Sequence, residues 1–134
     1  MKAAGVVVLA LVAATPGQGL AAEGFSAACM TKARTQADLN ACAAAEARAA
    51  DARLSRSYRA VACHLAPGEK TRLRTAQRAW IRYREAECAF WSGGDRAVAP
   101  MNRALCQAEL SNKRADDLHG WPANASGDAT APCG

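Results

Sequence analysis

The residues of this chain with the most chemistry open to them are its six cysteines: Cys29, Cys42, Cys63, Cys88, Cys106 and Cys133. A cysteine can serve as a nucleophile, a metal ligand or half of a disulfide. A nucleophile needs a base aligned beside it. Cys63 is followed directly by His64, but neighbours on a helix point about 100° apart, so the pair does not align. A disulfide for Cys63 and a favourable helix C-terminal position for His64 fit better. A zinc site wants closely spaced ligands, and the chain has no CxxC pair and only two histidines, His64 and His119. The sequence therefore predicts no metal and no cofactor. An even number of cysteines in a small chain reads instead as three disulfides.

The carboxylates give no enzyme either. Glu85 and Glu87 point to different sides of a helix, so they are read as solvated surface groups and not as a glycosidase pair. There is no Gly-rich phosphate loop, no nucleophile elbow and no HExxH. His119 suits the end of a helix. Trp91 and Trp121 would make a carbohydrate platform, but core and tail packing is the commoner use of such residues.

The elements that must position these groups centre on Gln77–Phe90, QRAWIRYREAECAF. On a helix, Leu73, Gln77, Trp80, Arg84 and Trp91 fall within about 40° of one line, and Arg74, Arg78, Arg82 and Glu85 fall on the other side. The buried face thus carries an arginine, which needs a partner because an unpaired buried charge costs several kcal/mol.

The chain has 134 residues, enough for one small domain. Residues 1–22 have the pattern of a secretory signal: Lys2, an apolar run from Val6 to Ala14, and small residues before a cleavage site near Ala22. The run is too short to span a bilayer. The expected location is periplasmic or secreted, with no membrane span. Without Lys2 there are 16 basic and 12 acidic residues, a net +4. The basic residues are dispersed, which does not argue for nucleic acid.

Thr35, three residues before Asp38, opens a long helix with an approximate capping box. Leu39, Ala43, Ala47, Ala50, Leu54, Tyr58, Val61 and Leu65 recur at steps of three and four, and the many small residues let a neighbouring helix approach closely. Ala66-Pro67-Gly68 is read as its break. A second helix runs from about Glu69 to Ser92 and ends at Gly93-Gly94. A third runs from about Met101 to Leu118 and carries Leu105, Cys106, Leu110 and Leu118. Before Thr35, one helical turn is expected around Cys29. The fold class is all-α: a small disulfide-stapled bundle, a long antiparallel hairpin with a third helix. The domain spans residues 23–119, and 120–134 form an irregular tail tied back by Cys133.

The short turn makes the first two long helices antiparallel neighbours. Facing positions then sum to about 134, so Leu54 meets Trp80, Tyr58 meets Gln77, and Asp51 meets Arg84. Asp51 is well placed for a bidentate contact to the guanidinium. Arg84→Ala is expected to strand a buried carboxylate at a cost of roughly 3 kcal/mol. The cysteines follow. Cys88 and Cys106 flank the Gly-Gly loop symmetrically, Cys29 and Cys42 can strap the first segment to the long helix, and Cys63 faces away from the hairpin, leaving Cys133.

Several stretches resemble the lysozyme inhibitor LprI-like domain of bacterial exported proteins. Cys29 followed by Thr35-Gln36-Ala37-Asp38-Leu39-Asn40-Ala41-Cys42 is similar to that family's opening motif. Asp51, Leu54 and Tyr58 are similar to its next block. Gln77-Arg78-Ala79-Trp80-Ile81, Tyr83-Arg84 and Cys88 are similar to its most distinctive one. Gly93-Gly94, Cys106, Arg114 and Leu118 follow its close. The sequence departs from the family pattern at Ser55, Asp95 and Ser111, and Cys63 and Cys133 look like additions.

The resemblance implies a non-enzymatic inhibitor whose protein partner is a lysozyme or a related peptidoglycan-degrading hydrolase. Such an inhibitor must block a cleft that holds two carboxylates. It needs a projecting donor on a rigid support, within a rim suited to a cationic partner. The loop from Gly93 to Pro100 offers Gly93, Gly94, Asp95 and Arg96 as candidate binding residues. The competing reading is a periplasmic binding or structural module with another ligand, in which that loop is only a connection.

Overall fold

The computed structural model describes residues 24–120, with side chains described from residue 27. Four helices make up this span: α1 (Gly24–Lys32), α2 (Gln36–Ala62), α3 (Pro67–Trp91) and α4 (Ala99–Gly120). The protein is a small all-α domain, and no strand occurs among the described residues. The segment read as a leader, the tail with Trp121, and Cys133 all lie outside the described residues, so the Cys63–Cys133 bridge does too.

Two boundaries differ from the sequence reading. The first segment forms a helix of 9 residues, not a single turn. Pro67 starts α3 and does not merely end α2. Proline suits that place because the first helical N–H has no intrahelical partner to lose. The Glu69 carboxylate accepts from the Ala66 N–H at 3.1 Å and completes the start.

The entry to α2 is a full capping box. The Thr35 hydroxyl accepts from the Asp38 N–H at 3.1 Å, and the Asp38 carboxylate accepts from the Thr35 N–H at 2.9 Å. The same carboxylate accepts from the Arg34 N–H at 3.0 Å. These bonds, that to Arg34 foremost, hold the Asp38 carboxyl below its ordinary range. A disulfide from Cys29 to Cys42, with Cα atoms 5.7 Å apart, fastens α1 to α2.

The close helix pair is α2 with α4, and this corrects the expected hairpin core. The α2 face of Cys42, Ala43, Ala50, Leu54 and Val61 is buried, as is the α4 face of Ala104, Ala108, Ser111, Ala115 and Leu118. Both faces are built mainly of small residues, so the two backbones come together along most of their length. The helices run parallel: Asn40 reaches Ala97, Asp51 reaches Ser111, and Arg53 reaches Asn112. On α4 the expected apolar residues Leu105 and Leu110 are only half-buried, and alanines take the core positions.

The α3 backbone stands further from α2 than α4 does. It reaches the core through longer side chains. Leu73 joins a cluster with Leu54, Val61, Leu65, Ala115 and Leu118, and Trp80 and Tyr58 pack against it. Antiparallel contacts tie α3 to α4, from Gln77–Arg114 at one end to the Cys88–Cys106 disulfide at the other.

Candidate functional site

The buried line of α3 ends in chemistry. Leu73, Arg84 and Cys88 are buried, with Gln77 and Trp80 half-buried between them. Arg84 Nη1 donates to Asp51 Oδ1 at 2.5 Å and to Ser111 Oγ at 2.7 Å, and the Ser111 hydroxyl donates to Asp51 Oδ1 at 2.8 Å. Three helices therefore meet at one polar knot. The Asp51 contact uses a single carboxylate oxygen, not the bidentate geometry expected. The Asp51 side chain is also 52% exposed, so it is no buried carboxylate. The guanidinium lies over the Trp80 ring, 5.4 Å from its centroid. Its Nε is buried without a hydrogen-bond partner.

Glu85 belongs to this knot and is not the solvated surface group read from the helical wheel. Its carboxylate accepts from Arg84 Nη2 at 2.9 Å, Arg103 Nη2 at 3.1 Å and Gln107 Nε2 at 3.0 Å. Partial burial works to raise its pKa. The bonds from Arg103 and Arg84, with the Arg84 charge and Gln107, outweigh that and hold it below the ordinary 4.5. Apart from the Arg84 Nε, the donors of the knot have structural partners inside the bundle, so it fastens helices and presents little to a ligand.

The exposed chemistry lies where α3 passes to α4. Cys88 is fully buried, and its bridge to Cys106 sets the two Cα atoms 5.5 Å apart at the base of the connection. Gly93 to Ala97 are exposed. Gly94 has φ +111°, a conformation that side chains disfavour. Gly93 carries no such demand: a Cβ there would meet only the Phe90 carbonyl oxygen, at 3.5 Å.

Asp95 acts on its own turn. Its Oδ1 accepts from the Ala97 N–H at 2.8 Å, and its carbonyl accepts from the Ala99 N–H at 2.9 Å, which starts α4. Asn40 of α2 donates to the Ala97 carbonyl at 3.1 Å. The loop is thus held by a disulfide, a capping carboxylate and a neighbouring helix. Arg96 takes no ion pair or side-chain hydrogen bond among the described residues and is exposed at the tip.

Beside this loop stand two aromatic residues that the sequence reading did not place there. Trp91 was assigned to the buried line of α3, yet it is 62% exposed, and Phe90 is 74% exposed. In this last turn of α3 it is Cys88, bridged to Cys106 of α4, that is fully buried, and the two rings lie outside that contact. The rings meet edge to face with centroids 5.2 Å apart. Trp91 Nε1 donates to Glu87 Oε1 at 2.8 Å. Two adjacent aromatics directly before a Gly-Gly stop were the available signal, because residues on both sides of a last turn cannot all face the core.

Among the described residues no group of three or more His, Cys, Asp or Glu side chains could hold a metal ion. No described helix is long and apolar enough to cross a membrane.

The fold and its cross-links define a small disulfide-stapled helical domain that offers an anchored loop. Residues 27–118 match the family described as lysozyme inhibitor LprI, and the chain belongs to that family. It is 37% identical over 102 residues to an uncharacterized protein of Rhizobium meliloti (strain 1021), covering 65% of this chain and 73% of that one. No solved structure gives a significant match.

Proposed function

We propose that the protein is an exported inhibitor of lysozyme, or of a related peptidoglycan-degrading hydrolase, that acts by stoichiometric binding and not by catalysis. The observation that carries this reading is the loop Gly93–Ala97 in a chain of the lysozyme inhibitor family. It is exposed, yet its ends and its middle are held, so little ordering entropy is lost on binding. Arg96 at its tip is a guanidinium with no ion pair or side-chain hydrogen bond among the described residues, suited to the paired carboxylates of a glycosidase cleft. Disulfides persist in oxidising compartments, which supports action in the periplasm or outside the cell after cleavage near Ala22.

The test is lysozyme activity measured by turbidity across a panel of lysozyme types. A saturable loss of activity reached at an equimolar ratio is expected from at least one of them. Arg96→Ala combined with Asp95→Asn should weaken inhibition by at least tenfold, or about 1.4 kcal/mol. Asparagine is the right replacement because it keeps the acceptor that caps the Ala97 N–H, so the melting temperature should hold. Full potency in that variant would reduce the loop to a connection. No inhibition by the unmodified protein across the panel would favour a binding or structural module instead.

A further inference from the structure

The end of α3 carries more apolar surface than a helix terminus needs. Exposed large aromatics side by side mark contact surfaces more often than accidents. Here Trp91, backed edge to face by Phe90, borders a groove of about 420 Å³ that runs between α3 and α4. Its floor includes Leu105 and Leu110, and Glu87 and Glu109 stand on its two sides. Glu109 is exposed and takes no ion pair among the described residues. Glu87 spends one oxygen on the Trp91 indole N–H and keeps the other.

That combination has a definite chemistry. The ring is held in place by its own hydrogen bond before any partner arrives. Two carboxylates flank an apolar floor, so the groove favours a positive head on an apolar stem. A lysine or arginine side chain has that form, and the face of a tryptophan attracts its charge. The Trp91 indole N–H is already spent on Glu87, so of the lining side chains only Asn102 still offers donors, while the two carboxylates accept, a balance that suits a cationic donor. The disulfide Cys88–Cys106 lies under both the groove and the loop, so the two form one rigid surface.

We infer that the groove between Trp91, Glu87 and Glu109 is a docking site for a basic side chain on a cationic protein partner. This rests on the inhibitor reading for the identity of the partner, a lysozyme, and adds where it is held. The loop would meet the cleft, and the aromatic corner would take a basic residue on its rim. The net +4 left after removal of Lys2 works against a cationic partner only at long range, because at physiological salt charges more than about 8 Å apart are largely screened and the local pair decides.

The experiment uses the full oxidised protein in two arms. In the first, inhibition of the lysozyme panel is compared between the unmodified protein and Glu87→Gln/Glu109→Gln, which preserves the acceptor for the Trp91 indole. At least a tenfold loss of potency is expected, with an unchanged melting temperature. A companion variant, Phe90→Ser, which removes the edge-to-face support of the Trp91 ring, should lose potency in the same direction. In the second arm, a capped Gly-Arg-Gly peptide is titrated while the Trp91 indole N–H signal is followed by nuclear magnetic resonance, assigned by its absence in Trp91→Phe. A saturable shift is expected, at least tenfold weaker in the double Gln variant and absent with norleucine in place of arginine. If the unmodified protein inhibits and the double Gln variant inhibits equally well, the groove is overturned and the inhibitor reading stands. If the unmodified protein inhibits nothing, the inhibitor reading fails, and the peptide arm decides the groove alone. A peptide shift that is absent or centred away from Trp91 then overturns it.

Discussion

Replacing Arg84 separates packing from charge in this bundle. Its side chain is 11% exposed, yet none of its partners depends on it entirely. Asp51 is half open to water and keeps the Ser111 hydroxyl. Glu85 keeps Arg103 and Gln107. Arg84→Ala therefore strands no buried carboxylate, contrary to the expectation from the helical wheel. What it removes is the stem: two methylenes, Cγ and Cδ, at about 0.8 kcal/mol each come to roughly 1.6 kcal/mol. Loss of the contact with Trp80 adds about 0.5–1 kcal/mol. Relief of the unpartnered Nε returns about 1 kcal/mol or more. The expected net loss is roughly 1–1.5 kcal/mol, or about 4–12 °C in melting temperature for a domain of this size. Arg84→Met keeps most of the stem and the approach to Trp80, so it should lose less than about 1 kcal/mol. Arg82→Ala, on the exposed face, should stay within about 0.5 kcal/mol of the unmodified protein. Matched thermal and urea melts decide. A methionine variant as unstable as the alanine variant would refute the packing argument and show that the charge holds the knot together.

Two further outcomes follow from the same coordinates. Gly94→Ala should cost about 1–3 kcal/mol through its φ of +111°, whereas Gly93→Ala should be nearly neutral; paired melts that reversed this order would contradict the loop geometry. Because the folded Glu85 carboxyl lies below its ordinary 4.5, the unfolded chain takes up that proton first as pH falls. The stability it contributes is fully present above that value and is lost as pH drops through the lowered folded one. The melting-temperature gap between the unmodified protein and Glu85→Gln should then narrow in acid, and a gap that widened would refute the assignment.

What local sequence determines is what local physics can express. Thr35 and Asp38 cap α2 because a hydroxyl and a carboxylate at that spacing meet the free N–H groups of a first turn. The period of three and four residues on α2 and the Gly-Gly stop of α3 are visible in the chain, and with them the all-α class. Cysteine spacing suggests short loops, and the structure holds Cys29–Cys42 and Cys88–Cys106. An alanine face, however, announces only that some neighbour comes close. It carries no shape or charge to say which, and a short turn to α3 made the wrong neighbour look natural. Tertiary structure assigns that face to α4, whose own core is Ala104, Ala108 and Ala115. The same choice draws Ser111 and Gln107 into the polar knot and converts Glu85 from a surface group into a partner of three side chains. In the last turn of α3 it buries Cys88 against α4 and leaves Phe90 and Trp91 exposed, although the helical wheel puts Trp91 on the apolar stripe. Which aromatics are core and which are surface is decided by how α3 docks on α4, with Trp80 against the core cluster and Trp91 outside it, and no periodicity within α3 contains that information.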